Sequence, residues 1–339
     1  MARWGDGNGM IGDADTLRAE LRAAGLSRQA VDAAWPEWWS DEAERSVSAR
    51  TELRLSIARN LGLAPKALVG ERVDFVWRDR ARFKHLGADE DIAVAALNSF
   101  GVSVGRSLIE ATERQGDLIG LGASQLRSML LEMGTPDLPG LLTVCWAFGV
   151  PVAHLRVWPL AQKAMHAMVV GQKGRHAIMF SREASYPAMV AFTLAHEIGH
   201  IALGHVPADD ILVDAEDPAG TADHDEEEVA ADRYALEVLL GDPDPEITLN
   251  YETFNHAMLA EVALRVGPRL GIDPGTIALA VAHQRNAWPV AMAAMKLIQP
   301  EPLVVSDLVN KVARSQLDLN RLGDDSATFI ERTLGFVDE

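Results

Sequence analysis

Apolar positions in DTLRAELRAAGLSRQA, residues 15–30, recur at helical spacing; Gly25 predicts the end of that helix and Ser27 an N-cap for the next. A tryptophan-rich acidic interval, AWPEWWSDEAE, precedes a long helical stretch, ARTELRLSIARNLG, and a shorter one, APKALVG. Residues 71–135 read as helical, with loops at Gly87, Gly116 and Gly122 and the short basic VWRDRARFK as a solvated helix face. From about residue 140 the period shortens. VAHLRVW, AMHAMVVGQ and HAIMFSR alternate as strands do, with Gly171 and Gly174 turning between the last two, and predict a small antiparallel sheet. SYPAMVAFTLAHEIGHIALGHVP then predicts a helix capped by Ser185, with Pro187 in its first turn and Val206-Pro207 at its end. DEEEVAADRYALEVLLG, GIDPGTIALAVAHQ and WPVAMAAMKLI predict further helices. The expected fold class is α+β, mainly α.

Composition changes this picture little: 339 residues, 48% apolar and 24% charged, are ordinary for a globular chain. The lone Cys145, inside LLTVCWAFGV, excludes a disulfide framework or a thiolate-rich metal site and reads as a small buried hydrophobe. The start, MARWGDGNGMIGDADT, lacks a secretory pattern. The longest apolar run is too short for a membrane span and is interrupted by Pro151, so a cytoplasmic protein without a membrane partner is expected. Charge matters more. Of the net −18, the first hundred residues carry 14 basic against 16 acidic side chains, and the remainder 17 against 33. Such a surface repels phosphate backbones and disfavours nucleic acid as the partner of the whole chain.

The candidate chemistry lies in His196-Glu197-Ile198-Gly199-His200. Histidines four apart share one face of a helix, so both imidazoles can reach one ion. Glu197 sits one position round from His196, where it flanks the metal and can act as general base toward a water activated by zinc. A catalytic zinc takes three protein ligands and keeps one open position, so a third ligand is required from a neighbouring element. Glu228 and Asp232 lie one turn apart on the next helix. His205, Asp223, His224 and Asp225 are the alternatives. His205 misses the spacing of a third histidine in metzincins, whose glycine and histidine positions hold Leu203 and Val206 here, and is expected to sit at the helix C-terminus, where the dipole favours it. Residues 206–228 hold ten acids and neither Lys nor Arg, a solvated loop or an acidic rim selecting a basic peptide.

Two resemblances bear on these motifs. LRAELRAAGLS and LSIARNLGLAPKALVG resemble a lambda-repressor-like helix-turn-helix module, residues 1–72. Where its DNA-reading helix would lie, this chain has Trp35, Trp38 and Trp39 followed by Asp41, Glu42 and Glu44, which suit a protein contact or core packing better than base edges. The spacing of Glu228 and Asp232 resembles the gluzincin arrangement, which implies Glu228 as third ligand and Asp232 as partner of a ligating histidine, His196. More specifically, GVPV at 149–152, HAIMF, FTLAHEIGHIALGH and EEEVAADRYALEVLL resemble the ImmA/IrrE metallopeptidases. That resemblance implies a zincin-like peptidase domain over residues 139–300, joined to the first module by a helical connecting region, 73–138, and followed by a C-terminal helical extension, 301–339.

The function so implied is limited proteolysis of a regulatory protein, a transcriptional repressor or similar, with Zn2+ held by His196, His200 and Glu228 and Glu197 as base. A donor to the oxyanion is also expected, with Tyr186, His224, Tyr234 and Arg285 as candidates. The rival readings are a regulatory binding protein with an idle zinc site, and a DNA-binding repressor that uses zinc as a sensor. An intact Glu197 counts against both, because a structural site has no use for a base.

Overall fold

The computed structural model describes residues 13–69, 73–74, 76, 81–83, 91–160, 165–207, 211–214, 226–247, 254–301 and 303–336. Five helices come first: α1 Asp13–Ala23, α2 Arg28–Ala34, α3 Asp41–Glu44, α4 Val47–Leu61 and α5 Pro65–Val69. Ser27 caps α2 as its residue type predicts, its hydroxyl accepting the Ala30 N–H at 3.1 Å. Gly62 ends α4 in the left-handed region, φ 67°, and runs so close to the next layer that a Cβ there would lie 2.1 Å from the Ser99 carbonyl oxygen. Strand β1, Ala81–Phe83, and helix α6, Asp91–Glu110, follow. A strand in this stretch departs from the all-helical expectation; it exists because it pairs with a strand far along the chain, which local periodicity does not record. Gly87 and most of VWRDRARFK lie outside the described residues.

Next come α7 Ala123–Met133, α8 Leu138–Ala147, β2 Val152–His154, β3 Ala167–Gln172, β4 Arg175–Phe180, α9 Pro187–Leu203, β5 Ile211–Asp214 and α10 Glu226–Leu240. The chain ends in α11 His256–Leu270, α12 Pro274–Arg285, α13 Trp288–Ile298, α14 Val305–Gln316 and α15 Asp324–Leu334. The molecule is thus mainly helical around one sheet. No helix among the described residues is long and apolar enough to cross a membrane.

The sheet has the order β1-β5-β3-β4-β2 and is mixed, not antiparallel. β3 and β4 form the expected hairpin, but its turn is Lys173-Gly174, at φ 50° and 69°, the two positive values that a two-residue hairpin turn needs. Gly171 lies inside β3, opposite His176. A tight hairpin enforces antiparallel pairing only on the strands it joins. β2 reaches the far side of β4 through a crossing segment and pairs in parallel, as β1 does with β5.

β3 and β4 also differ from the expected polar alternation: they are buried almost throughout. Both faces are covered. Met168, Val170, Ala177 and Met179 face a core shared with α1, α2, α4, α6 and α15. Ala167, Val169, Ile178 and Phe180 face a second core, built from α7, α8, α9 and α10. The period of two survives as a choice between cores, so both positions are apolar. α6 packs closely because it presents Gly101 and Gly105 to the sheet, where a Cβ would strike Met168 and Val170.

The tryptophan interval packs against the chain's own last helix. Trp35 is buried, and the Trp38 indole N–H donates to Asp325 at 3.1 Å. Ser56 donates to the same carboxylate at 2.8 Å, and Arg332 donates to the Trp35 carbonyl at 2.7 Å and to Glu37 at 2.9 Å.

Helix ends elsewhere are held by side chains from other elements. The Arg127 guanidinium, on α7, donates to the Val238 and Leu239 carbonyls ending α10 and to the Leu270 and Gly271 carbonyls ending α11. Arg127→Ala leaves these carbonyls without that partner and is expected to cost about 1–3 kcal/mol of stability, measured by urea unfolding. Lysine in its place recovers little, because one ammonium cannot reach both helix ends. On β4, burial holds the His176 imidazole below its ordinary pKa of 6.5, opposed by its bond to the Val206 carbonyl and by Asp117. A depressed folded pKa gives a contribution complete above the unfolded value and lost as pH falls. The stability gap between the wild type and His176→Gln should therefore be widest above pH 6.5 and narrow below it.

Candidate metal centre

Helix α9 is buried on nearly all sides, as its apolar flanks MVAFTLA and IALG predict. Its limits differ from those expected at both ends. Tyr186, not Ser185, occupies the N-cap, ahead of Pro187, and Gly204, at φ 78°, ends the helix before Val206-Pro207 is reached. A left-handed glycine satisfies the last carbonyls, so the helix stops where that geometry becomes available.

His196 and His200 project from consecutive turns, and their Nε2 atoms stand 3.0 Å apart. α10 lies alongside at unusually short range. A Cβ on Gly199 would fall 3.2 Å from the Tyr234 Cβ and 3.3 Å from both the Ala231 Cα and its carbonyl oxygen. This approach brings Glu228, in the first turn of α10, between the imidazoles: Oε2 lies 3.3 Å from His196 Nε2 and Oε1 3.4 Å from His200 Nε2. Both histidines are 0% exposed and Glu228 is 6% exposed.

These residues form the group of potential ligands found among the described residues, with ligand atoms all within 4.8 Å of one another. Two donors bound about 2.0–2.1 Å from a tetrahedral ion sit about 3.3 Å apart, which is the spacing seen. The proton pattern agrees. His196 Nδ1 lies 2.9 Å from Asp232 Oδ1, a partner that suits an Nδ1–H and, in that tautomer, turns the Nε2 lone pair toward Glu228 and His200. His200 Nδ1 lies 3.0 Å from His205 Nδ1, so its outward nitrogen is likewise occupied. With both Nε2 atoms unprotonated, two lone pairs and a carboxylate converge on one buried point, an arrangement that a cation stabilises. The donor set suits zinc and other divalent transition ions alike.

Glu197 is 1% exposed and follows His196 directly, one position round the helix. The Phe192 ring, one turn earlier, forms part of the surroundings, its centroid 6.5 Å from that of His196. Of the alternative ligands, Asp223, His224 and Asp225 lie outside the described residues, as does most of the acidic stretch 206–228. His205 sits beyond the C-cap but turns back onto His200, a contact that its expected placement at the helix end does not include. The sequence signal for it is the glycine immediately before, since a left-handed residue after a helix reverses the chain.

Three candidates for an oxyanion donor are described. The Tyr234 hydroxyl donates to the Leu121 carbonyl at 2.9 Å, and burial pushes its pKa up. Tyr186 is packed in the core between α11, α12 and α13, and Arg285 is exposed in the last turn of α12. A residue not singled out by its sequence is His166, half-buried just before β3, whose Nε2 lies 3.2 Å from the Thr193 hydroxyl on α9.

No family model, curated protein or solved structure matches the chain.

The close approach at Gly199 is testable. A methyl group there gains up to about 1 kcal/mol of helix propensity but loses about 1–3 kcal/mol by overpacking. Gly199→Ala should therefore lower the apo melting temperature slightly and weaken divalent-metal binding in a chelator competition. Gly199→Val should lower both.

Proposed function

We propose that the chain is a zinc-dependent metallo-endopeptidase that performs limited proteolysis of a regulatory protein partner. The observation that supports this reading best is the convergence of His196 Nε2, His200 Nε2 and the Glu228 carboxylate on one buried point, with Glu197 buried beside it. A structural metal site has no need of a carboxylate in that place; a hydrolytic one does.

In this reading His196, His200 and Glu228 hold the ion, and Asp232 orients His196 through its Nδ1–H. A divalent ion bound there supplies Lewis acidity, which raises the acidity of water and the electrophilicity of a peptide carbonyl. Glu197 takes the proton from the attacking water and delivers it to the departing amine nitrogen. The dry walls of α9 strengthen each of these charge interactions. The resemblance of FTLAHEIGHIALGH and EEEVAADRYALEVLL to ImmA/IrrE peptidases favours a repressor-like protein as substrate, and the acidic stretch 206–228 favours a basic segment at the cut.

Metal analysis by mass spectrometry tests the ligand set. One zinc per chain is expected in the wild type and in Glu197→Gln, and little in Glu228→Ala. Incubation with a proteome-derived peptide library tests the chemistry: cleavages made by the wild type should fall by about 10²–10⁴-fold in Glu197→Gln. A wild type that takes up no metal when zinc is supplied overturns the proposal, and zinc-loaded protein that cuts nothing leaves an idle centre in its place.

A further inference from the structure

His205 belongs to the centre although it is unsuited to hold the ion itself. Gly204, at φ 78°, reverses the chain, and the His205 backbone N–H closes the turn on the His200 carbonyl at 2.9 Å. The next residue is anchored from the other side: Val206 is buried, and its carbonyl accepts from His176 Nε2, on β4, at 3.3 Å. Held between these fixed points, the imidazole of His205 lies edge-on to that of His200, with ring centroids 5.1 Å apart and planes at 66°. Nδ1 faces Nδ1 at 3.0 Å.

Only one proton fits between two nitrogens at that distance. With an ion on its Nε2, which faces Glu228 and His196, His200 carries its proton on Nδ1 and His205 Nδ1 is the acceptor. We propose that His205 is a positioning residue, which fixes the tautomer and ring orientation of His200 as Asp232 does for His196. This rests on the metal-centre reading above.

The choice of an imidazole has an electrostatic reason. Glu197, Glu228 and Asp232 already bring three carboxylates to the centre, and another would add a negative charge among them. Neutral histidine accepts the hydrogen bond without adding charge. The two ligating histidines are thus backed unequally, one by an anion and one by a neutral ring.

The test uses the full-length chain stripped of metal. Zinc affinity is measured by competition with a chromophoric chelator, the visible spectrum of the cobalt(II) form is recorded, and the apo melting temperature is followed in parallel. His205→Leu should bind zinc about 10–100-fold more weakly and alter the cobalt spectrum, with the apo melting temperature little changed. His205→Asn should restore both, because its Oδ1 occupies the position of Nδ1; His205→Gln, whose acceptor sits where Nε2 was, should not. Zinc affinity in His205→Leu equal to that of the wild type overturns the role. So does failure of asparagine to do better than leucine or glutamine. A wild type that binds no zinc is a different outcome: it removes the metal centre itself, and the role of His205 with it.

Discussion

The centre depends on how near α10 can come to α9. Helices packed through ordinary side chains keep their axes about 8–10 Å apart. Gly199 and Ala231 remove that bulk at the crossing, so the backbone of one helix lies against the other. Glu228 is one turn before Ala231 and Asp232 directly after it, so a single crossing point brings one carboxylate to Nε2 and the other to Nδ1 of His196. Moving that crossing by even a few tenths of an ångström alters both contacts together. The close packing is a condition of the site's geometry and not only of stability.

α9 is held in turn by the sheet. β3 and β4 divide the interior: one face receives the helices from the two ends of the chain, the other receives α9 and its neighbours. With apolar side chains on both faces, neither strand can slip by one residue without placing different shapes in both cores, which fixes the register strongly. The helix carrying the histidines therefore rests on a rigid wall. On its other side α12 abuts its first turn, with Gly275 against Ala188.

The same architecture explains the tryptophan interval. In a repressor-like module the surface at this position is free to meet DNA. Here Asp325 accepts from Trp38 and Ser56, while Arg332 ties Trp35 and Glu37 to α15. Phe329 and Ile330 extend the hydrophobic core into which Leu53 and Ile57 of α4 pack. The amino- and carboxyl-terminal helices form one packed unit, and Trp35, Glu37 and Trp38 are each accounted for by what they contact on α15.

Local order along the chain was sufficient for the features of short range. Histidines four apart on an apolar helix, a glutamate between them, acids four apart on the next helix, and the serine and glycine ends of α2 and α4 all follow from the 3.6-residue period and capping chemistry. Only the tertiary structure decided the rest. The Glu228 and Asp232 contacts join residues of separate helices, and the Trp38–Asp325 bond spans 287 positions. The parallel edges of the sheet depend on which strands meet after crossing segments, and the burial of both sheet faces depends on helices drawn from opposite ends of the chain. The turning back of His205 requires a left-handed glycine and a buried Val206 together. Periodicity records which face of an element is apolar; it carries no information about which distant element will cover that face, because that choice is made by shape and close packing across the whole molecule.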